Sequence, residues 1–172
     1  MKVVKPGDEL ERLIISQQDL LQAKSFAEFI LSKNLHDRST DWEEQKLIHL
    51  AFNTSLIVSY SRPFTGNRGI STGKQQSVGS KLLEVLSKEE KRLHDNLTRS
   101  RHAEYAHSDL NSHNVSIYAC ENFAIPIGRN PFVPIEIEQI RQLIAIIDRL
   151  LTEISLRRSH LEEKDVTNLS AS

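Results

Sequence analysis

Apolar positions recur at helical spacing in four stretches of the chain. From Asp8 to about Asn34, Leu10, Leu13, Ile14, Leu20, Leu21, Ala27, Ile30 and Leu31 stand among polar residues, a pattern that predicts helix. Ser16, with Asp19 three residues on, offers a cap for a fresh start, so the stretch reads either as one helix or as two with a break near Ser16. Ser39 or Thr40 is placed to open the next helix, because Asp41, Glu43 and Glu44 follow in its first turn and carboxylates suit the positive end of the helix dipole. From Leu47 to Tyr60 apolar residues occupy most of the circumference, which predicts a central helix buried on several sides. Pro63 should end it.

A third helical region carries Val78, Leu82, Val85, Leu86, Leu93 and Leu97 on one face. It should reset at Ser87, where Ser-Lys-Glu-Glu forms a capping box, and run to about His107. Residues 113–134 lose helical period, alternate Val115, Ile117 and Ala119, and contain three prolines, so a short hairpin or irregular excursion is expected there. After Pro134 the spacing Ile137, Ile140, Ile144, Ile147, Leu151, Ile154 is 3-4-3-4-3, with Leu143, Ile146 and Leu150 as a second stripe. Two stripes mean either burial on two sides within one subunit or a meeting with a second chain. The sum is an all-α fold, an antiparallel bundle of four to five helices. It forms one domain over residues 1–164, and the polar tail 165–172 is expected to fray.

Composition narrows the function classes. The 172 residues carry 22 Lys+Arg against 23 Asp+Glu, a net charge of −1, which excludes a protein that coats a polyanion with its whole surface. A polyanion site must be a local patch. One such patch is the stretch 62–76, where Arg62, Arg68 and Lys74 occur with three glycines and no acidic residue. A single cysteine, Cys120, excludes an internal disulfide framework and a multi-cysteine zinc site, as suits a reducing cytosol. No apolar run approaches the roughly 20 residues that span a bilayer, and the N-terminus lacks a signal-peptide core. The expected location is the cytoplasm, with no membrane partner.

Several motifs fail on inspection. Gly-Ile-Ser-Thr-Gly-Lys at 69–74 suggests a phosphate loop, yet that pattern needs Gly where Arg68 stands and Ser or Thr where Gln75 stands, and no apolar strand precedes it. The seven histidines form no i,i+4 pair and no His-Glu-x-x-His, so no metal and no cofactor is expected. Nothing beside Cys120 would activate its thiol.

One constellation remains. Residues 93–109 (LHDNLTRSRHAEYAHSD) gather Arg99, Arg101, His102, Tyr105 and His107 near a helix end. Arg101-His102-Ala-Glu-Tyr-Ala-His107 resembles the signature of the HEPN superfamily, an Arg and a His separated by four to six residues with Asn, Asp or His directly after the Arg. A chain of this composition holds roughly 0.2 such matches by chance. The resemblance implies a helical bundle, a homodimer whose motifs meet across the interface and, in active members, a metal-independent endoribonuclease. It also implies a toxin or defence role with a cognate antitoxin or nucleotidyltransferase partner.

The residue chemistry suits that activity. Cleavage of RNA through its own 2′-hydroxyl needs a base, a cation for the phosphate and an acid for the leaving oxygen. Histidine supplies base and acid near neutrality, and arginine holds phosphate with a charge it does not lose. Arg101, His107 and His102 are the candidate catalytic residues; Arg62, Arg68, Lys74, Arg99 and Tyr105 are candidates for binding RNA. In one straight helix His107 lies roughly 120° around from Arg101, so either the helix loosens before His107 or a second chain completes the site. The competing readings are a catalytically inert HEPN-like dimer that binds RNA or protein, and a helical scaffold without a nucleic-acid role. Each residue also has a plain structural reading: Arg99 as an i,i+4 ion pair with Asp95, His107 as a helix-terminal residue satisfying end carbonyls.

Overall fold

The computed structural model describes residues 8–36, 42–65, 67–68, 75–76, 80–101, 116–120, 123–127 and 134–170. Among the described residues four helices carry the fold: α1 (Asp8–Ser32), α2 (Trp42–Ser61), α3 (Lys88–Ser100) and α4 (Ile137–Ser170). The architecture is the all-α bundle that the periodicity predicts. Two antiparallel two-stranded ribbons accompany it: β1 (Asn67–Arg68) with β2 (Gln75–Gln76), and β3 (Ser116–Cys120) with β4 (Phe123–Ile127), the latter a hairpin within the segment expected to leave helical period.

α1 is one continuous helix, which corrects the reading of a break near Ser16. Its buried residues, Leu10, Leu13, Ser16, Leu20, Ala23, Ala27 and Ile30, repeat at three and four along a single seam, so the core holds the helix through the serine. Asp19 does not cap; its carboxylate accepts from Arg62, 3.3 Å away. α1 ends where the chain can turn left-handed. Asn34 has φ 51°, its N–H donates to Leu31 O, and the Leu35 N–H reaches back to Ile30 O. This is a Schellman closure with Asn in the place glycine usually takes, and the buried Leu35 covers it.

α2 packs antiparallel along α1. Phe52 stacks on Phe29 at 4.2 Å between centroids and meets Phe26 edge-on at 5.8 Å, while at the other end the Ser59 hydroxyl donates to the Gln22 side chain. Burial on several sides holds for the last turns of α2, where Leu56, Ile57, Ser59, Tyr60 and Ser61 are all buried; near its start Leu47 is exposed. Its expected caps, Ser39 and Thr40, lie outside the described residues. Pro63 stops the α-helix, as its fixed φ and missing N–H require, and a 3-10 turn, Arg62–Phe64, takes over. A second 3-10 turn, Ser80–Val85, stands where the apolar pattern predicts α-helix.

α4 also runs antiparallel to α1, tied by the Lys24–Asp148 ion pair at 2.6 Å and by Arg158 donating to Gln17. Both of its apolar stripes turn into the core of this one chain. Ile140, Ile147 and Ile154 are fully buried, and so are Leu143, Ile146 and Leu150. At about 1.5–3 kcal/mol for each buried aliphatic side chain, this helix contributes a large share of the hydrophobic stabilisation. The second stripe therefore needs no partner chain to cover it. The backbone stays helical to Ser170, into the polar tail. One apolar cluster joins the four described helices.

Candidate functional site

The site begins with the way α3 is started. Ser87 accepts from the Glu90 N–H through its hydroxyl at 3.2 Å, and the Glu90 carboxylate accepts the Ser87 N–H at 2.8 Å, the capping box that Ser-Lys-Glu-Glu predicts. The same carboxylate accepts from Arg149 of α4 at 3.3 Å. Leu93 and Leu97, one turn apart, are buried on the inner face, and His94 is buried beside them.

His94 meets the end of α2. Its Nδ1 lies 2.9 Å from the Tyr60 hydroxyl. Phe64, from the 3-10 turn, sets its ring edge-to-face with the imidazole at 4.6 Å, and Tyr60 stands 5.6 Å from Phe64. Tyr60 is 0% and His94 4% exposed. Burial lowers the His94 pKa, with Asp95 partly opposing, and pushes the Tyr60 phenol up, with Asp95 and Glu90 adding to the rise. At neutral pH both groups are uncharged and share one proton: either the phenol donates to a bare Nδ1 or an Nδ1–H donates to the phenolic oxygen.

Arg101 follows His94 by seven residues and so returns to within about 20° of its azimuth. It keeps helical dihedrals, φ −54° and ψ −43°, and its N–H points back to the carbonyls of the last turn of α3. Arg101 is half-buried, as is Ser100 before it, whereas Arg99 is exposed. The ion pairs among the described residues do not include Arg99, so the expected link to Asp95 is not formed.

Arg62 is occupied structurally: its guanidinium spans Asp19 and Gln22, each at 3.3 Å, with the side chain 46% exposed. Arg68 pairs with Gln75 in the β1–β2 ribbon. Lys74, His102, Tyr105 and His107 lie outside the described residues. Of the sequence candidates, the structure places Arg99 and Arg101 in the last turn of α3, about 200° apart around its axis.

Sequence reasoning aligns His94 with Arg101 but misses its bond to Tyr60. The available signal is a polar ring beside Leu93 on an apolar face, together with a tyrosine in the last buried turn of α2. Their separation of 34 residues hides the pairing.

A cleft between α3 and α4, lined by Ser87, Glu89, Glu90, Leu93, Gln142, Ala145, Ile146 and Arg149, sits towards the start of α3, about 12–21 Å along the axis from Arg101. Its acidic rim disfavours phosphate. Among the described residues no three histidine, cysteine or carboxylate side chains gather as metal ligands, and no helix is long and apolar enough to cross a membrane. Comparison with family models, with curated proteins and with solved structures finds no match for this chain.

Proposed function

We propose that this protein is a metal-independent endoribonuclease of HEPN type, acting as a homodimer on RNA, with a toxin or defence role and a cognate antitoxin or nucleotidyltransferase as its partner. The observation that carries the reading is the Arg101-His102 pair with His107 five residues on in the sequence, with Arg101 at the end of a helix whose inner face is anchored in an all-α bundle. In this reading Arg101 holds the scissile phosphate. His107 takes the proton of the 2′-hydroxyl, the 2′-oxygen attacks phosphorus, and the bond to the 5′-oxygen breaks. That oxygen receives a proton, leaving a 2′,3′-cyclic phosphate and a 5′-hydroxyl. His102 orients the reacting groups or shares the proton transfers. Arg99, exposed in the last turn of α3, adds a solvated positive charge that draws in RNA without facing the same way as Arg101.

Incubation of the purified protein with mixed-sequence RNA in EDTA tests this. Cleavage with cyclic phosphate ends, lost in Arg101→Ala and in His107→Ala, is the expected result. No cleavage, or full cleavage by both variants, overturns it. Tight RNA binding without cleavage would instead favour the inert binding module.

A further inference from the structure

We infer that the Tyr60–His94 pair is a positioning device that fixes the azimuth of Arg101, so that Tyr60 and His94 act on catalysis through the arginine rather than on RNA. The inference rests on the ribonuclease reading for its functional half.

Three observations carry it. First, the described part of α3 has 13 residues, a length at which a helix is marginal in water without tertiary support. Leu93 and Leu97 supply apolar burial, which is non-directional and tolerates rotation about the helix axis. Second, the Tyr60–His94 contact is directional. At 2.9 Å between groups almost removed from solvent, it is satisfied at one rotation of α3 and broken when the helix turns by a fraction of a residue step. Phe64 meets the same imidazole edge-to-face at 4.6 Å, with Tyr60 beside it, so the ring packs against both the last turn of α2 and the 3-10 turn after it. Third, His94 and Arg101 share an azimuth two turns apart, so what fixes one fixes the other. The Glu90–Arg149 bond holds the opposite end of the helix. Together these two polar contacts secure both rotation and tilt.

A phosphate-binding arginine is sensitive to such placement, because a misplacement of about 1 Å costs on the order of 100-fold in rate. The role differs from substrate binding in what it predicts kinetically. Loss of the pair should lower kcat and leave KM nearly unchanged, since RNA is still drawn in by exposed cations such as Arg99.

The test uses the full-length chain with three variants: Tyr60→Phe, His94→Asn and His94→Gln. Asn places an amide where Nδ1 stands and Gln places one where Nε2 stands, at similar polarity. Kinetics are measured well below the melting temperature of each variant, alongside amide hydrogen exchange. Tyr60→Phe and His94→Gln are expected to lower kcat about tenfold or more with KM within about twofold, and to speed exchange at residues 97–101 while α1 and α4 keep their protection. His94→Asn should recover most of the loss. Unchanged kcat and exchange in Tyr60→Phe overturns the proposal. So does equal rescue by Asn and Gln, or exchange that rises evenly over the whole chain. If the wild-type protein cuts no RNA, the ribonuclease reading fails by itself and the exchange measurements still decide whether the pair anchors Arg101. Should Tyr60→Phe not fold, the contrast between the Asn and Gln variants decides the question by the same two readouts.

Discussion

The Asn53 side-chain oxygen accepts the backbone N–H of Ile135 at 2.9 Å, both groups buried and 82 residues apart in sequence. This bond docks the residues that lead into α4 against the middle of α2, and it satisfies a main-chain donor that water cannot reach.

Asn53→Ala should therefore destabilise the fold by about 1–3 kcal/mol, the cost of a buried N–H left without an acceptor. Urea unfolding followed by circular dichroism measures this. A change under about 0.5 kcal/mol would mean that another acceptor replaces Asn53.

Acid should weaken the fold as pH drops below the ordinary histidine range. Burial lowers the pKa of both His94 and His49, and the neighbouring His36 adds to the effect at His49. The unfolded chain then binds protons that the folded chain refuses. Stability is full above the ordinary histidine value of about 6.5 and falls as pH drops below it, by at most about 1.4 kcal/mol per pH unit for each histidine until its folded pKa is reached. Melting temperatures measured between pH 7.5 and 5 should decline over that window, and His94→Asn should flatten part of the slope.

Leu150 and Leu156 lie six residues apart on α4 and should respond oppositely to truncation. Leu150 is fully buried and Leu156 is 64% exposed. Leu150→Ala is expected to cost about 2–5 kcal/mol and Leu156→Ala less than about 0.5 kcal/mol, read by chemical denaturation of the two variants side by side.

The cations flanking the candidate site should separate by role. Arg62→Ala breaks the pairing with Asp19 and Gln22, a partly exposed contact worth up to about 1 kcal/mol, and should lower the melting temperature slightly without changing KM for RNA. Arg99→Ala should leave the melting temperature unchanged and raise KM several-fold, more at low salt than at high. Calorimetry and RNA cleavage at two salt concentrations distinguish them.

What the chain discloses in advance follows from local rules. The α4 stripes, the Ser87 capping box and the stop at Pro63 each depend on residues within one or two turns, so spacing alone locates them. The break expected near Ser16 is absent because Ser16 and Asp19 have uses beyond their own helix: one is buried in the seam and the other reaches Arg62. Ser80–Val85 carries helical spacing too, yet forms a 3-10 turn; spacing near 3 does not separate the two helix types over six residues. At the candidate site, Arg101 is legible as a motif residue, whereas Tyr60–His94 is not, since nothing within either helix announces a partner 34 positions away.

The dependence of α3 on its neighbours has a consequence during synthesis. Its inner face is covered by α2, made before it, and by α4, made after it. A nascent chain that has not yet exposed residues 137–154 lacks half of that cover, and a helix whose described part has 13 residues is marginal alone. Arg101 thus gains its ordered setting only once the C-terminal helix has emerged. On the ribonuclease reading proposed above, the arginine that would hold phosphate is therefore not set in place until α4 has been made.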